Sequence, residues 1–203
     1  MIYFGDSKIG EVYWGDSSIK EVYFGNDLVW SKVPVVPYTV IGGAQFGANN
    51  YMNTGINLRS GDIVGVSATN LITSGNGAVV GVVDNTTADA FYVMSAPTNG
   101  VWELLNGSSA SYRALHTGSR DDMSCTAVRN ISAPLYVGDA YYGGGASIAY
   151  AFRGIIHEID VTRSGTVIMD LIPVVRNSDS VVCLYDTVGG VFYDCGGGLV
   201  RVD

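Results

Sequence analysis

Ile155-Ile-His-Glu-Ile-Asp-Val-Thr162 decides the fold. From Glu158 onward polar and apolar residues alternate with period two, the pattern of a strand with one face in a core. Asp62-Ile-Val-Gly-Val-Ser-Ala-Thr69 repeats it. Further short segments rich in Val, Ile, Tyr and Thr lie on either side, separated by Gly, Asn, Asp and Ser. They are Thr39–Ile41, Asn50–Thr54, Ala78–Asp84, Ala90–Ala96, Val101–Leu105, Ser111–Leu115, Met123–Asn130, Ala133–Val137, Ile148–Arg153, Thr166–Asp170, Val181–Tyr185 and Val191–Asp194. No stretch keeps helical periodicity over a dozen residues. The pattern predicts an all-β chain whose main body is a two-sheet jelly-roll sandwich.

Upstream lies a different texture. Ile2-Tyr-Phe-Gly-Asp-Ser-Lys-Ile-Gly-Glu11, Val12-Tyr-Trp-Gly-Asp-Ser-Ser-Ile-Lys-Glu21 and Val22-Tyr-Phe-Gly-Asn-Asp-Leu-Val-Trp-Ser31 stack as three copies of one ten-residue unit. Each reads as a strand of about seven residues and a Gly-Asp-type turn of about three. Such a strand spans roughly 23 Å at about 3.3 Å per residue, and a three-residue link reaches only about 10 Å. A single-chain parallel solenoid is therefore excluded. An antiparallel meander and a prism wound from several chains both remain. Thirty residues bury little core alone. Tyr3, Phe4, Tyr13, Trp14, Tyr23, Phe24 and Trp30 therefore need a partner surface, either the chain's own second domain or other copies. The preferred expectation is an anchor and oligomerisation stalk over residues 1–31, closed by cyclic symmetry.

Lys32-Val-Pro-Val-Val-Pro-Tyr38 carries two prolines three residues apart, which stiffens the connection and disfavours helix and central strand. Residues 32–37 are read as a linker and 38–203 as the sandwich.

The net charge is −8 with only 11 Lys plus Arg, so no basic stripe exists for a phosphate backbone and no nucleic-acid partner is expected. The N-terminus lacks a basic segment followed by an apolar one, and no run approaches 18 apolar residues. The expectation is a protein made in the cytoplasm without signal peptide or membrane partner. Cys125, Cys183 and Cys195 form neither a disulfide framework nor a zinc pattern. A three-residue hairpin loop centred on Gly189 would set Cys183 opposite Cys195, as a disulfide or as two free thiols.

Chemistry-bearing residues are sparse. Glu158-Ile-Asp-Val-Thr-Arg163 resembles the E-x-D-x-x-E strand of jelly-roll endoglucanases, where paired carboxylates act as acid and nucleophile. Arg163 stands where the third carboxylate belongs, and a cation cannot serve as general acid there. His116 and His157 are the only histidines. His157 and Glu158 are expected on opposite faces of a strand, and Arg120-Asp121-Asp122 in a solvated loop. Gly143–Gly145 and Gly196–Gly198 lack the Lys-Ser/Thr of a phosphate loop. Tyr136, Tyr141, Tyr142 and Tyr150 are candidates for stacking a sugar ring or packing a subunit. No catalytic residue, metal or cofactor is expected.

Several segments resemble a known family. They are Asn50-Tyr-Met-Asn-Thr-Gly-Ile56, Ala133-Pro-Leu-Tyr-Val137, Ala151-Phe-Arg-Gly-Ile-Ile-His-Glu-Ile-Asp160, Val167-Ile-Met-Asp-Leu-Ile-Pro-Val-Val-Arg176, Ser178–Val188 and Val191-Phe-Tyr-Asp-Cys-Gly-Gly-Gly198. Together they resemble the laminin-G-like, concanavalin-type jelly roll of bacteriophage fibre proteins. Cys183 departs from that family, which has Gly there. The Tyr-aromatic-Gly-Asp units resemble N-terminal repeats of phage virion proteins. The resemblance implies a virion structural protein attached to capsid or tail by its N-terminus and favours closure as a homotrimer; the small size, one sandwich and a short stalk, favours a head fibre or decoration protein over a full tail fibre. Its jelly roll would meet a host-surface glycan. A glycan depolymerase and a free-standing carbohydrate-binding module are the alternatives.

Overall fold

A computed structural model describes residues 3–4, 7–8, 12–14, 17–19, 21–24, 27–31, 36–83, 90–142, 146–147 and 150–203. Side chains are described chiefly from Val36 onward, apart from residues 84–89 and 142–149. The chain separates into two units, Met1–Pro37 and Tyr38–Asp203.

In the first unit β1 (Tyr3–Phe4) pairs with β2 (Ser7–Lys8), β3 (Val12–Trp14) with β4 (Ser17–Ile19), and β5 (Glu21–Phe24) with β6 (Asp27–Ser31). Phe4 faces Ser7, Trp14 faces Ser17 and Phe24 faces Asp27. Each closure brackets two residues: Gly5-Asp6, Gly15-Asp16 and Gly25-Asn26. The strand of about seven residues expected for each copy runs through residues that lie outside the described part. Gly followed by Asp or Asn is a sequence that suits two-residue hairpin loops. Among the described residues the three pairs form separate two-stranded sheets. The stretch between successive tips pairs backward through β4 and forward through β5.

The second unit carries β7 (Tyr38–Val40), β8 (Gly43–Phe46), β9 (Met52–Asn57), β10 (Ile63–Asn70), β11 (Gly77–Val83), β12 (Ala90–Ala96), β13 (Val101–Asn106), β14 (Ser109–Ala114) and β15 (Arg120–Thr126). It continues with β16 (Pro134–Val137), β17 (Ala140–Tyr142), β18 (Ala146–Ser147), β19 (Gly154–Arg163), β20 (Thr166–Arg176), β21 (Val182–Asp186), β22 (Val191–Tyr193) and β23 (Val200–Val202). One sheet runs β15-β10-β19-β20-β21-β22, with β7 on β20 and β8 between β19 and β23. The other runs β14-β13-β12-β11-β16-β9, with β17 on β11 and β18 on β17. Pairing is antiparallel throughout the named strands except β11 with β17. No α-helix occurs among the described residues. The chain is an all-β, two-sheet jelly-roll sandwich.

Alternation sets which face meets the core. Phe91 and Val93 of β12, Trp102 and Leu104 of β13, and Ile159 and Val161 of β19 all enter one cluster between the sheets. Phe46, Leu135, Phe152, Met169, Leu171 and Leu184 are among the others that join it. Each large side chain so buried contributes about 1.5–3 kcal/mol. A bulge in β11 between Ala78 and Val80 keeps both Val79 and Val80 inward.

Several local readings are corrected here. Asp186 pairs with Val191 and Leu184 with Tyr193, so the hairpin loop is four residues, 187–190. That register carries Cys183 toward Asp194 instead of Cys195, and both cysteines are buried free thiols. Arg120-Asp121-Asp122 opens β15 instead of forming a loop. The register of β10 on β19 slips between Ser67 and Ala68. Ile156 and Ile159 both enter the core, so His157 and Glu158 both lie away from it, not on opposite faces. The strand expected over Ile148–Arg153 is absent at its described end, where Ala151 makes only an isolated bridge to Ala78. Residues 148 and 149 lie outside the described part.

Candidate ligand-binding face

The outward face of the second sheet is built by cross-strand rows. Ala78 lies opposite Met94, and Met94 opposite Glu103. Gly81 lies opposite Tyr92, and Tyr92 opposite Leu105. Val83 lies opposite Ala90. Directly opposed residues share a face, and the intervening Val80, Val82, Phe91, Val93 and Leu104 all point into the core. These rows, with Asn76, Ala140 and Tyr150, line a cleft of about 260 Å³.

Small residues form its floor. A Cβ on Gly81 would lie 2.8 Å from the Ala140 Cβ and 3.3 Å from the Tyr92 Cβ, so only glycine lets β17 approach β11 this closely. Ala78, Met94 and Ala140 pack as a small apolar cluster apart from the main core, with Tyr92 and Tyr150 against it. The Tyr92 hydroxyl donates to Glu103 Oε1 at 3.0 Å, diagonally across β12 and β13, and so fixes the carboxylate at the rim.

Beside the cleft the Gly81 row continues through Tyr136 to Asn53. Tyr136 stacks on Tyr141 with centroids 5.2 Å apart and planes at 23°. Tyr51 tilts against Tyr136 at 6.3 Å. Of the four tyrosines proposed from sequence, Tyr136 and Tyr141 therefore engage each other, Tyr150 lines the cleft, and the Tyr142 side chain lies outside the described part. Tyr92, Met94 and Glu103 were missed. The signal was the period-two pattern of Ala90–Ala96, whose outward positions carry a tyrosine and a methionine.

Asp139 lies beside Ala140 and is fully buried. Its Oδ1 accepts the Ala140 N–H at 2.7 Å, and Oδ2 has no partner among the described residues. Burial pushes its carboxyl up to about 6, only partly offset by the Ala140 bond.

The other carboxylates belong to the opposite sheet. Asp122 and Glu158 flank Ser67, and Asp160 lies opposite Gly65 on one side and Asp170 on the other. A Cβ on Gly65 would fall 1.9 Å from Asp160 Oδ1, so the carboxylate lies over the glycine. Burial and the Asp170 charge raise its pKa. Arg163 does not join this group. Its Nε and Nη2 grip Asp62 Oδ1 and Oδ2 at 2.9 and 2.7 Å. His116 Nδ1 lies 2.7 Å from Asp121 Oδ1, while Trp102 Nε1 donates to Asp121 Oδ2 at 2.7 Å. Asp121 thus ties a core tryptophan to a surface histidine. His157 is held between the Gly42 carbonyl, 2.7 Å from Nδ1, and Thr69 Oγ1, 3.0 Å from Nε2. No group of three His, Cys, Asp or Glu is placed to hold a metal among the described residues.

The backbones of Tyr3, Phe4, Tyr13, Trp14, Tyr23, Phe24 and Trp30 lie in the three hairpins. Their side chains, and with them the expected apolar interface, lie outside the described part.

No protein-family profile matches this chain, and no curated protein matches it. Among solved structures, a "putative carbohydrate binding protein" from Bacteroides ovatus ATCC 8483 is similar, with a TM-score of 0.54 at 12% identity. The match covers 81% of this chain and 60% of that one. At that identity the two share a fold.

Proposed function

We infer that this chain is a binding protein displayed on a bacteriophage particle, a head fibre or decoration protein or a short tail fibre. Its sandwich engages a host-surface glycan. The observation that carries the glycan reading is one sheet face bearing both a cleft with a fixed carboxylate and a strip of partly exposed tyrosines. Sugar sites combine those parts, aromatic faces for ring C–H groups and a few fixed polar atoms for hydroxyls. The fold shared with the Bacteroides protein supports it. The phage assignment rests on the sequence resemblance of the repeats and the closing hairpin.

The hairpin repeats supply attachment and a homotrimer. An isolated two-stranded hairpin is marginal in water, and three or more strands with an apolar face are needed for independent stability. Copies of the chain arranged about a three-fold axis would provide the missing strands and close the open edges. The work is binding, not hydrolysis: Arg163, at the position of a third carboxylate, is committed to Asp62.

The test uses the full chain on arrayed bacterial polysaccharides, with light scattering for mass and cryo-EM of the particle. Saturable glycan binding by a species of three chains mounted on capsid or tail supports the reading. A monomer absent from the particle that still binds glycan would replace it with a free-standing carbohydrate-binding module. Absence of binding to any polysaccharide removes the adhesive role.

A further inference from the structure

We propose that the cleft between β11, β12 and β13 takes a single uncharged hexopyranose unit and discriminates against uronic and sialic acids, with Glu103 as the polar anchor. This rests on the glycan reading above and names its ligand class.

Three observations converge. The first is charge. Among the ten described residues lining the cleft, Glu103 is the only ionisable acid or base of the Asp, Glu, Lys, Arg and His types. A ligand carboxylate would meet a like charge there with no lining cation to offset it. Buried Asp139, next to the lining residue Ala140, adds no positive charge. The second is hydrogen bonding. Glu103 Oε1 is held by Tyr92, so the carboxylate is oriented before a ligand arrives. A carboxylate is acceptor-only with about four lone-pair sites, so it can receive two vicinal sugar hydroxyls in addition to the tyrosine. Charge-assisted bonds of this kind are roughly twice as strong as neutral ones. The third is size and lining. About 260 Å³ falls below the roughly 300–1,000 Å³ of sites that enclose drug-sized ligands. One ring fits, its apolar face toward Met94, Leu105 and Val83.

Met94 supplies the reporter. Met52, Met123 and Met169 lie in the inter-sheet core, whereas Met94 lines the cleft. The experiment labels methionine methyls with ¹³C in the full chain. It titrates neutral gluco-, galacto- and manno-oligosaccharides, then glucuronate- and sialyl-terminated counterparts of equal length. The expected result is a saturable shift of the Met94 methyl with at least one neutral series, and binding at least tenfold weaker for its acidic counterpart. Glu103→Gln should weaken the neutral ligand about tenfold and narrow the gap to the acidic one. Val191→Ala, on the exposed edge strand β22 of the opposite sheet, should change neither. Equal or tighter acidic binding overturns the specificity and leaves the glycan reading standing. Glycan binding without a Met94 shift, or unchanged in a folded Glu103→Gln protein, places the ligand elsewhere and overturns the cleft. Binding of no oligosaccharide overturns the glycan reading itself.

Discussion

Arg163 reaches from the end of β19 to clamp both carboxylate oxygens of Asp62 at the start of β10, 101 residues away in sequence. Asp62 is 1% exposed, and its Oδ2 also accepts the Arg59 N–H at 2.7 Å. Burial acts to raise its pKa. The Arg163 bonds, the Arg59 N–H and the two arginine charges outweigh that, and the net shift is downward. Arg163→Met should lose about 3–5 kcal/mol in urea titration, because it strands a buried carboxylate. Replacing both residues by apolar ones should lose less. A loss below 1 kcal/mol for Arg163→Met would mean that water already reaches the pair.

The same residue sets the acid limb. A carboxyl whose folded pKa lies below its unfolded value of 3.8 contributes stability that is present above that value. The contribution is lost as pH falls through the folded pKa. Stability should therefore drop below about pH 4, and Arg163→Met should flatten that drop.

Asp139 works with the opposite sign. Its folded pKa of about 6 lies above the ordinary value of 3.8, so the native state holds the proton longer than the unfolded chain. Its contribution is present below 3.8 and is lost as pH rises through about 6. Asp139→Asn keeps an oxygen for the Ala140 N–H and cannot ionise. It should raise stability at pH 7.5 by about 1–2 kcal/mol and remove the decline across that window. Persistence of the decline in the variant would assign it to another group.

Glycine substitutions should separate strain from crowding. Gly75 has φ 79° and nothing within 4 Å of an added Cβ, so Gly75→Ala meets backbone strain alone, about 1 kcal/mol. Gly138 has φ 81°, and its Cβ would also fall 2.4 Å from the Asn50 carbonyl and 2.7 Å from the Phe46 ring. Gly138→Ala should cost about 3 kcal/mol or more. Thermal melts of the two variants give the ordering, and equal losses would contradict it.

The thiols should titrate in two groups. Burial pushes Cys183 up to about 11 and Cys195 up to about 12, whereas Cys125 is half-buried. An alkylating reagent at pH 8 should modify Cys125 first in native protein and all three after denaturation, read by intact mass. Reagent uptake at Cys183 or Cys195 before Cys125 would contradict the buried placement.

Much of the sandwich was legible because its strands obey period two. Ala90–Ala96 was read to the residue. What sequence missed has physical causes. Gly43–Phe46 contains no β-branched residue and follows glycine, yet forms β8 because β19 and β23 both pair with it. The strand read over Thr166–Asp170 continues through Pro173 to Arg176 as β20. The Pro173 carbonyl accepts the Ile41 N–H at 3.1 Å, so its nitrogen faces the same flank. There the pairing with β19 has ended at Leu171 and that with β7 begins at Val174. The absent N–H falls in that gap. The cleft was harder to foresee, since it depends on which strands become neighbours. Glu103 matters because β13 sets it beside Tyr92, and no local pattern carries that.

β23 lies antiparallel to β8 with Val202 opposite Gly43, and a Cβ on Gly42 would come within 3.1 Å of the Asp203 carbonyl carbon. The Asn50 amide holds the approach to β23 by donating to the Gly196 and Gly198 carbonyls at 2.8 and 2.9 Å. The chain thus enters and leaves the sandwich at adjoining points. A domain so arranged tolerates circular permutation: its ends can be joined by a short bridge and the loop at Gly75 opened in their place. By the same geometry such a domain can sit as an insert within another chain.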